Sequence, residues 1–147
     1  MKIDIANQQK IKKINLLALR LLVKKILLAL DLLTAKVSLL LCDNDIIIGL
    51  NRKYFKKSLP TDVIAFPLSE DRGNDYFGEV VVSVQQAVIQ AKELGNDWKQ
   101  ELLLYIIHGI LHLTGYDDST KAKQEAMFKK QEQLLNQILA KNKKLDF

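Results

Sequence analysis

The chain has only two histidines, His108 and His112, and they lie four residues apart in the segment His-Gly-Ile-Leu-His-Leu-Thr-Gly-Tyr-Asp-Asp at 108–118. That spacing is a little over one helical turn, so both imidazoles leave the same helix face. A helix offers two nitrogen ligands to one zinc ion in this way. A third ligand must come from elsewhere. Gly115 has no Cβ to clash and can leave the helix with positive φ. The chain can then turn back so that Asp118 returns a carboxylate oxygen, an accepted zinc ligand. Two other uses of these acids stay open. Asp118 can cap a helix beginning near Ser119, and Asp117 can be either ligand or cap.

A bound zinc ion lowers the pKa of its water and polarises a substrate oxygen. That chemistry suits hydrolysis of a phosphodiester, whose charge the metal also neutralises. The pattern His-x3-His-x2-Gly-x2-acid parallels the zinc-protease pattern His-Glu-x2-His-x2-Gly-x2-His. The protease base is a Glu at the second position. Here that residue is Gly109, which takes no proton. Glu79 and Asp117 are other carboxylates, but the sequence places neither beside the histidines. The metal-bound water is therefore the expected nucleophile, with no protein base assigned.

The elements that must hold these groups follow from periodicity and punctuation. Lys2 to Ala6 alternates as a strand. Ile14 to Leu33 reads as a helix, and Ala35 to Cys42 as a buried strand. Asp43 or Asn44 can cap a helix through Ile46 to about Phe55. Thr61 to Phe66 reads as a third strand ended by Pro67, and Gly78 to Ser83 as a fourth, antiparallel to it. Ser83 can cap a helix that stops at Gly95. Asp97 and Gln100 resemble a capping box for a helix from Trp98 to Leu113. That histidine helix is apolar on nearly every face and should be central and buried. A last helix runs from about Ser119 to Lys141, with a charged tail expected to fray. The order β-α-β-α-β-β-α-α-α predicts a single α/β domain over residues 1–147. It combines a small mixed four-stranded sheet, about five helices and a zinc-protease-like (metzincin-like) metal helix.

Composition bounds the alternatives. At 147 residues and 48% hydrophobic, the chain is long and apolar enough to fold around one core. A single cysteine, Cys42, excludes a disulfide framework and a four-cysteine zinc site. It lies in an apolar run and reads as a core residue of a protein in a reducing cytoplasm. Residues 1–7 look like a strand and not a secretion signal. The leucine-rich segment 14–33 contains Arg20, Lys24, Lys25 and Asp31. Each charge near the centre of a membrane span costs about 2.5–3.5 kcal/mol. An amphipathic helix over a sheet is the better reading, with no membrane partner. The net charge of +5 modestly favours acidic partners such as nucleic acid. Arg52, Lys53, Lys56 and Lys57 form a basic cluster. Its readings are a phosphate-contacting surface at the rim of a groove beside the histidine helix, or a solvated helix end.

Segment 108–118 resembles the signature of the YbeY family of bacterial rRNA-maturation endoribonucleases, His-Gly-x-Leu-His-Leu-x-Gly-Tyr-Asp-His. Met127 stands where that family carries a methionine after the signature. Upstream, Leu50-Asn51-x2-Tyr54 and Pro60-Thr61-Asp62-Val63-Ile64-Ala65-Phe66-Pro67 resemble the family's Leu-Asn-x2-Tyr-Arg and Pro-Thr-Asp/Asn-Val-Leu-Ser-Phe-Pro. Gly78-Glu79-Val80 looks like its Gly-Asp-Ile. The resemblance spans nearly the whole chain. It implies one zinc ion per chain on His108, His112 and Asp118. It implies single-strand-specific endoribonuclease activity in 16S rRNA 3′-end maturation and ribosome quality control. The implied partners are precursor 16S rRNA, the small ribosomal subunit and the Era GTPase. Two departures fall at functional positions. Asp118 replaces the family's third histidine, which would weaken or abolish metal binding. Phe55 replaces the arginine expected to meet substrate phosphate, leaving Arg52, Lys56 or Lys57 to substitute. Two alternative functions follow from the residues. One is a zinc-dependent peptidase or hydrolase of another substrate class. The other is an RNA-binding ribosome-assembly factor with weak or no nuclease activity.

Overall fold

A computed structural model describes residues 1–55, 62–67, 77–142 and 144–147. Among these residues four strands, β1 (Lys2–Asn7), β2 (Lys36–Cys42), β3 (Val63–Pro67) and β4 (Phe77–Ser83), form one sheet in the order β1-β2-β4-β3. β1 and β4 flank β2 in parallel, and β3 pairs antiparallel with β4, setting Ala65 opposite Val80. The mixed sheet and its antiparallel pair agree with the sequence reading. Among the described residues, five helices complete the single α/β domain: α1 (Leu16–Ala29), α2 (Asn44–Phe55), α3 (Val84–Leu94), α4 (Trp98–Leu113) and α5 (Lys121–Lys141).

Strand side chains alternate between faces, so each strand feeds two layers. Val37, Leu39, Leu41, Val80 and Val82 join the main core with α1, α4 and α5. Cys42, Ile64 and Val81 face the other way and pack with Ile47 of α2. The Cys42 thiol is fully buried and 3.5 Å from the Val82 carbonyl oxygen. Burial, and next the charge of Asp43, push its pKa up to about 12, so this cysteine is a core residue.

α4 keeps its expected limits and is the central helix, with Leu102, Leu103, Ile106, Ile107, Ile110 and Leu111 all buried. Ser83 caps α3 through the Gln86 N–H, and Gly95 ends it at φ 70°. Asp97 caps α4, but its carboxylate accepts from the Lys99 N–H and not from the Gln100 N–H that a capping box uses. α1 stops four residues before Leu33, because Asp31 turns to φ 59° and ends the helical run.

The frayed tail is a correction. Beyond α5, Leu145 and Phe147 are buried, and Phe147 packs edge-to-face on Trp98 at 6.2 Å. Lys99 Nζ donates to the Leu145 carbonyl at 3.2 Å. Two apolar residues thus outweigh the charges around them. Among the described residues, no helix is long and apolar enough to cross a membrane.

Candidate metal centre

α4 delivers its histidines to its own C-terminal end. His108 and His112 stand edge-to-face, 4.7 Å between ring centroids, with their Nε2 atoms 3.1 Å apart. Two imidazole nitrogens on one tetrahedral zinc, each about 2.0–2.1 Å from it, are roughly 3.3 Å apart. The outer sides of both rings are engaged. His108 Nδ1 donates to Oε1 of Gln131, on α5, at 2.8 Å. His112 is hydrogen-bonded to the Tyr116 backbone, a bond that favours the protonated ring. Burial, and next the nearby His108, lower the His112 pKa below its usual 6.5, with Asp118 and the Tyr116 bond opposing. Burial therefore favours the neutral form of the His112 ring. With each outer nitrogen donating, both Nε2 lone pairs face one point. A cation satisfies that arrangement, so the histidine pair fits a zinc ion.

The chain leaves α4 by a Schellman turn. The Gly115 N–H donates to His112 O at 3.2 Å, and the Tyr116 N–H to Leu111 O at 3.1 Å. Gly115 takes φ 105°, as its place in the sequence predicted. Neither Asp117 nor Asp118 caps the last helix. Asp117 Oδ1 accepts from the Ser119 N–H and hydroxyl at 3.0 and 2.7 Å, and its other oxygen pairs with Lys123. Those hydrogen bonds hold its carboxyl below the usual carboxylate range. Thr120 caps α5 through the Lys123 N–H at 3.2 Å. Asp118 is exposed and free of the cap. It lines the same cavity of about 430 Å³ as His108, with Gln124, Glu125, Met127, Phe128 and Gln131 from α5. Among the described residues, no three His, Cys, Asp or Glu side chains converge closely enough to hold a metal ion. The structure thus pairs the histidines and brings Asp118 to the cavity that His108 lines, without closing it on them.

The Thr120 cap makes a stability prediction. Thr120→Ala should cost about 0.5–2 kcal/mol, the usual loss of an N-cap. Asp118→Ala should stay within about 0.5 kcal/mol. Urea unfolding of both variants checks it, and an equal loss in Asp118→Ala would return the cap to that residue.

Gly109, the residue in place of the protease base, faces the sheet and not the cavity. A Cβ there would stand 2.5 Å from Val80 Cγ1 and 3.0 Å from Val63 Cγ2. Glu79 follows the opposite face, since its neighbours Gly78 and Val80 both approach α4. Arg52 is exposed in the last turn of α2, across the sheet from α4, and is not among the described residues lining the cavity. Lys56, Lys57 and the Phe55 side chain lie outside the described residues.

The sequence reading missed Gln131 and Phe128. Gln131 had a legible mark, one polar residue inside the α5 stripe of Met127, Leu134, Leu135 and Ile138, all buried. Phe128 is an exposed aromatic, 62% accessible, on the cavity wall. Nothing in its spacing distinguishes it from an ordinary surface apolar residue.

Residues 4–139 match the family model for endoribonuclease YbeY. An endoribonuclease YbeY of Carboxydothermus hydrogenoformans is 40% identical over 102 residues, covering 69% of this chain and 71% of that protein. One from Petrotoga mobilis is 34% identical over 141 residues, covering 95% and 96%. The solution structure of a Thermotoga maritima protein matches the fold with a TM-score of 0.67 at 30% identity, over 95% of this chain and 90% of that one. The chain is an α/β protein with paired histidines at the end of its central helix. It belongs to the endoribonuclease YbeY family.

Proposed function

We propose that this protein is a zinc-dependent endoribonuclease that cuts single-stranded RNA in 16S rRNA 3′-end maturation and ribosome quality control. Endoribonuclease activity is the coarse part of that reading and rests on family membership. The metal dependence rests on one observation above all, the two Nε2 atoms 3.1 Å apart with their outer nitrogens engaged. In this reading His108 and His112 would hold one zinc ion, with Asp118 as the anionic third ligand. The ion would supply an activated water and neutralise charge on the scissile phosphate. The chain's own residues do the rest. Burial holds His112 toward its neutral, metal-binding form. Met127 and Phe128 give the cavity an apolar wall that sheds water, and the exposed Phe128 ring offers a base a stacking surface. Exposed lysines favour the RNA backbone. The partners are precursor 16S rRNA, the small ribosomal subunit and the Era GTPase, in the cytoplasm.

The peptidase reading loses its support at Gly109, because that position is packed against Val80 and has no outlet to the cavity. The assembly-factor reading is an outcome of the test. Purified protein should carry about one zinc per chain and cleave single-stranded RNA. A chelator should stop cleavage, and added zinc should restore it. RNA binding without chelator-sensitive cleavage would replace the nuclease with the assembly factor.

A further inference from the structure

Gln131 is 8% exposed and lies in the buried stripe of α5 between Met127 and Leu134. A buried amide left unbonded costs on the order of 1–3 kcal/mol, so this side chain needs a reason to be there. Its Oε1 stands 2.8 Å from His108 Nδ1, joining positions 23 residues apart in sequence. A neutral imidazole carries one N–H. Free histidine in water prefers that hydrogen on Nε2. On His108 an Nε2 hydrogen would point at His112 and block the nitrogen that faces the shared point.

We propose that Gln131 is the positioning residue of His108: it accepts the Nδ1 hydrogen, fixes the tautomer and turns the Nε2 lone pair toward His112. The proposal rests on the metal reading above. α5 then does more than cover α4. The residue that aims His108 and the residues that wall the cavity, Met127 and Phe128, come from the same helix. Such outer partners typically govern metal affinity by 10–100-fold. A neutral amide aims the ring without adding a second negative charge beside Asp118.

The test compares the parent with Gln131→Met, which keeps the shape and removes the acceptor, and with Gln131→Glu, which keeps an acceptor. Gln131→Ala is a second removal should the Met variant fold poorly. In metal-free protein at about pH 8, where free imidazoles are neutral, side-chain 15N spectra report the His108 tautomer. The parent and Gln131→Glu should show Nδ1–H, and Gln131→Met should shift toward Nε2–H. Zinc titration against a chromophoric chelator should give roughly 10–100-fold weaker binding in Gln131→Met, with Gln131→Glu at least as tight as the parent. An unmoved tautomer or an unmoved zinc affinity in Gln131→Met overturns the proposal, as does a Glu variant no tighter than the Met one. His108→Ala separates the two levels. Zinc affinity unchanged in His108→Ala means that the metal reading has failed. Zinc lost in His108→Ala but kept in Gln131→Met means that Gln131 alone has been misassigned.

Discussion

RNA cleavage should fall by more than about 100-fold in His112→Ala and equally in His108→Ala, because each removes half of the nitrogen pair. Outer partners of a ligand already account for 10–100-fold, so losing the ligand itself should exceed that. The two effects should not add, since either loss leaves a single imidazole that holds zinc poorly. His112 also sets a pH limit. Its pKa is lowered in the folded chain, mainly by burial. Protons therefore compete for His112 only below about pH 6.5, and its share of zinc affinity should be flat above that and fall below it. The same shift acts on stability. Above about 6.5 the ring is neutral in both states and contributes no pH dependence. As pH falls below the unfolded value, the unfolded chain binds the proton first, and the metal-free fold loses stability until the folded ring also protonates. His112→Ala should lack this acid-side loss. Cleavage rates and zinc titrations on both variants between about pH 5 and 8 check these points. Cleavage within a few-fold of the parent in either variant would remove the pair from the active site.

The site divides cleanly into what spacing can reveal and what packing alone reveals. His108, His112 and Gly115 lie within eight residues on one helix and its exit. Helical pitch and the steric freedom of glycine therefore sufficed to place them. The limits of α4 were equally local, set by Asp97 at one end and by the Thr114–Gly115 turn at the other. The roles of Asp117 and Asp118 were not legible, because either can cap or coordinate. Only the folded chain shows that Thr120 takes the cap and that Asp117 is engaged with Ser119 and Lys123. Gln131 acquires its role from a helix 23 residues downstream of His108, a distance across which periodicity carries no information. The tail failed for a related reason. Its charges were visible, but the place waiting for Phe147 against Trp98 exists only in the folded chain.

Gly109→Glu, which restores the zinc-protease base, should fail to fold instead of gaining peptidase activity. Gly109→Ala isolates the first part of the cost. Its Cβ would lie 2.5 Å from Val80 Cγ1 and 3.0 Å from Val63 Cγ2. Both partners are β-branched and stiff at χ1, and Val80 is fully buried at the centre of the sheet. Neither can swing away as the end of a long side chain would. Overpacking of this kind costs about 1–3 kcal/mol, and at this chain length each kcal/mol lowers Tm by roughly 2–4 °C. Glu adds a carboxylate buried against valines with no partner, a further cost of several kcal/mol. Domains of this kind hold only about 5–15 kcal/mol in total, so the Glu variant should lose its cooperative transition. Thermal melting of the three proteins measures the series. A Gly109→Glu protein that melts with the parent would mean that α4 does not meet β4 at this glycine. The peptidase reading would then regain a position from which a base could act. The expected series gives Gly109 a structural reason: the close approach that seats the histidine helix on the sheet leaves no room for the protease's base.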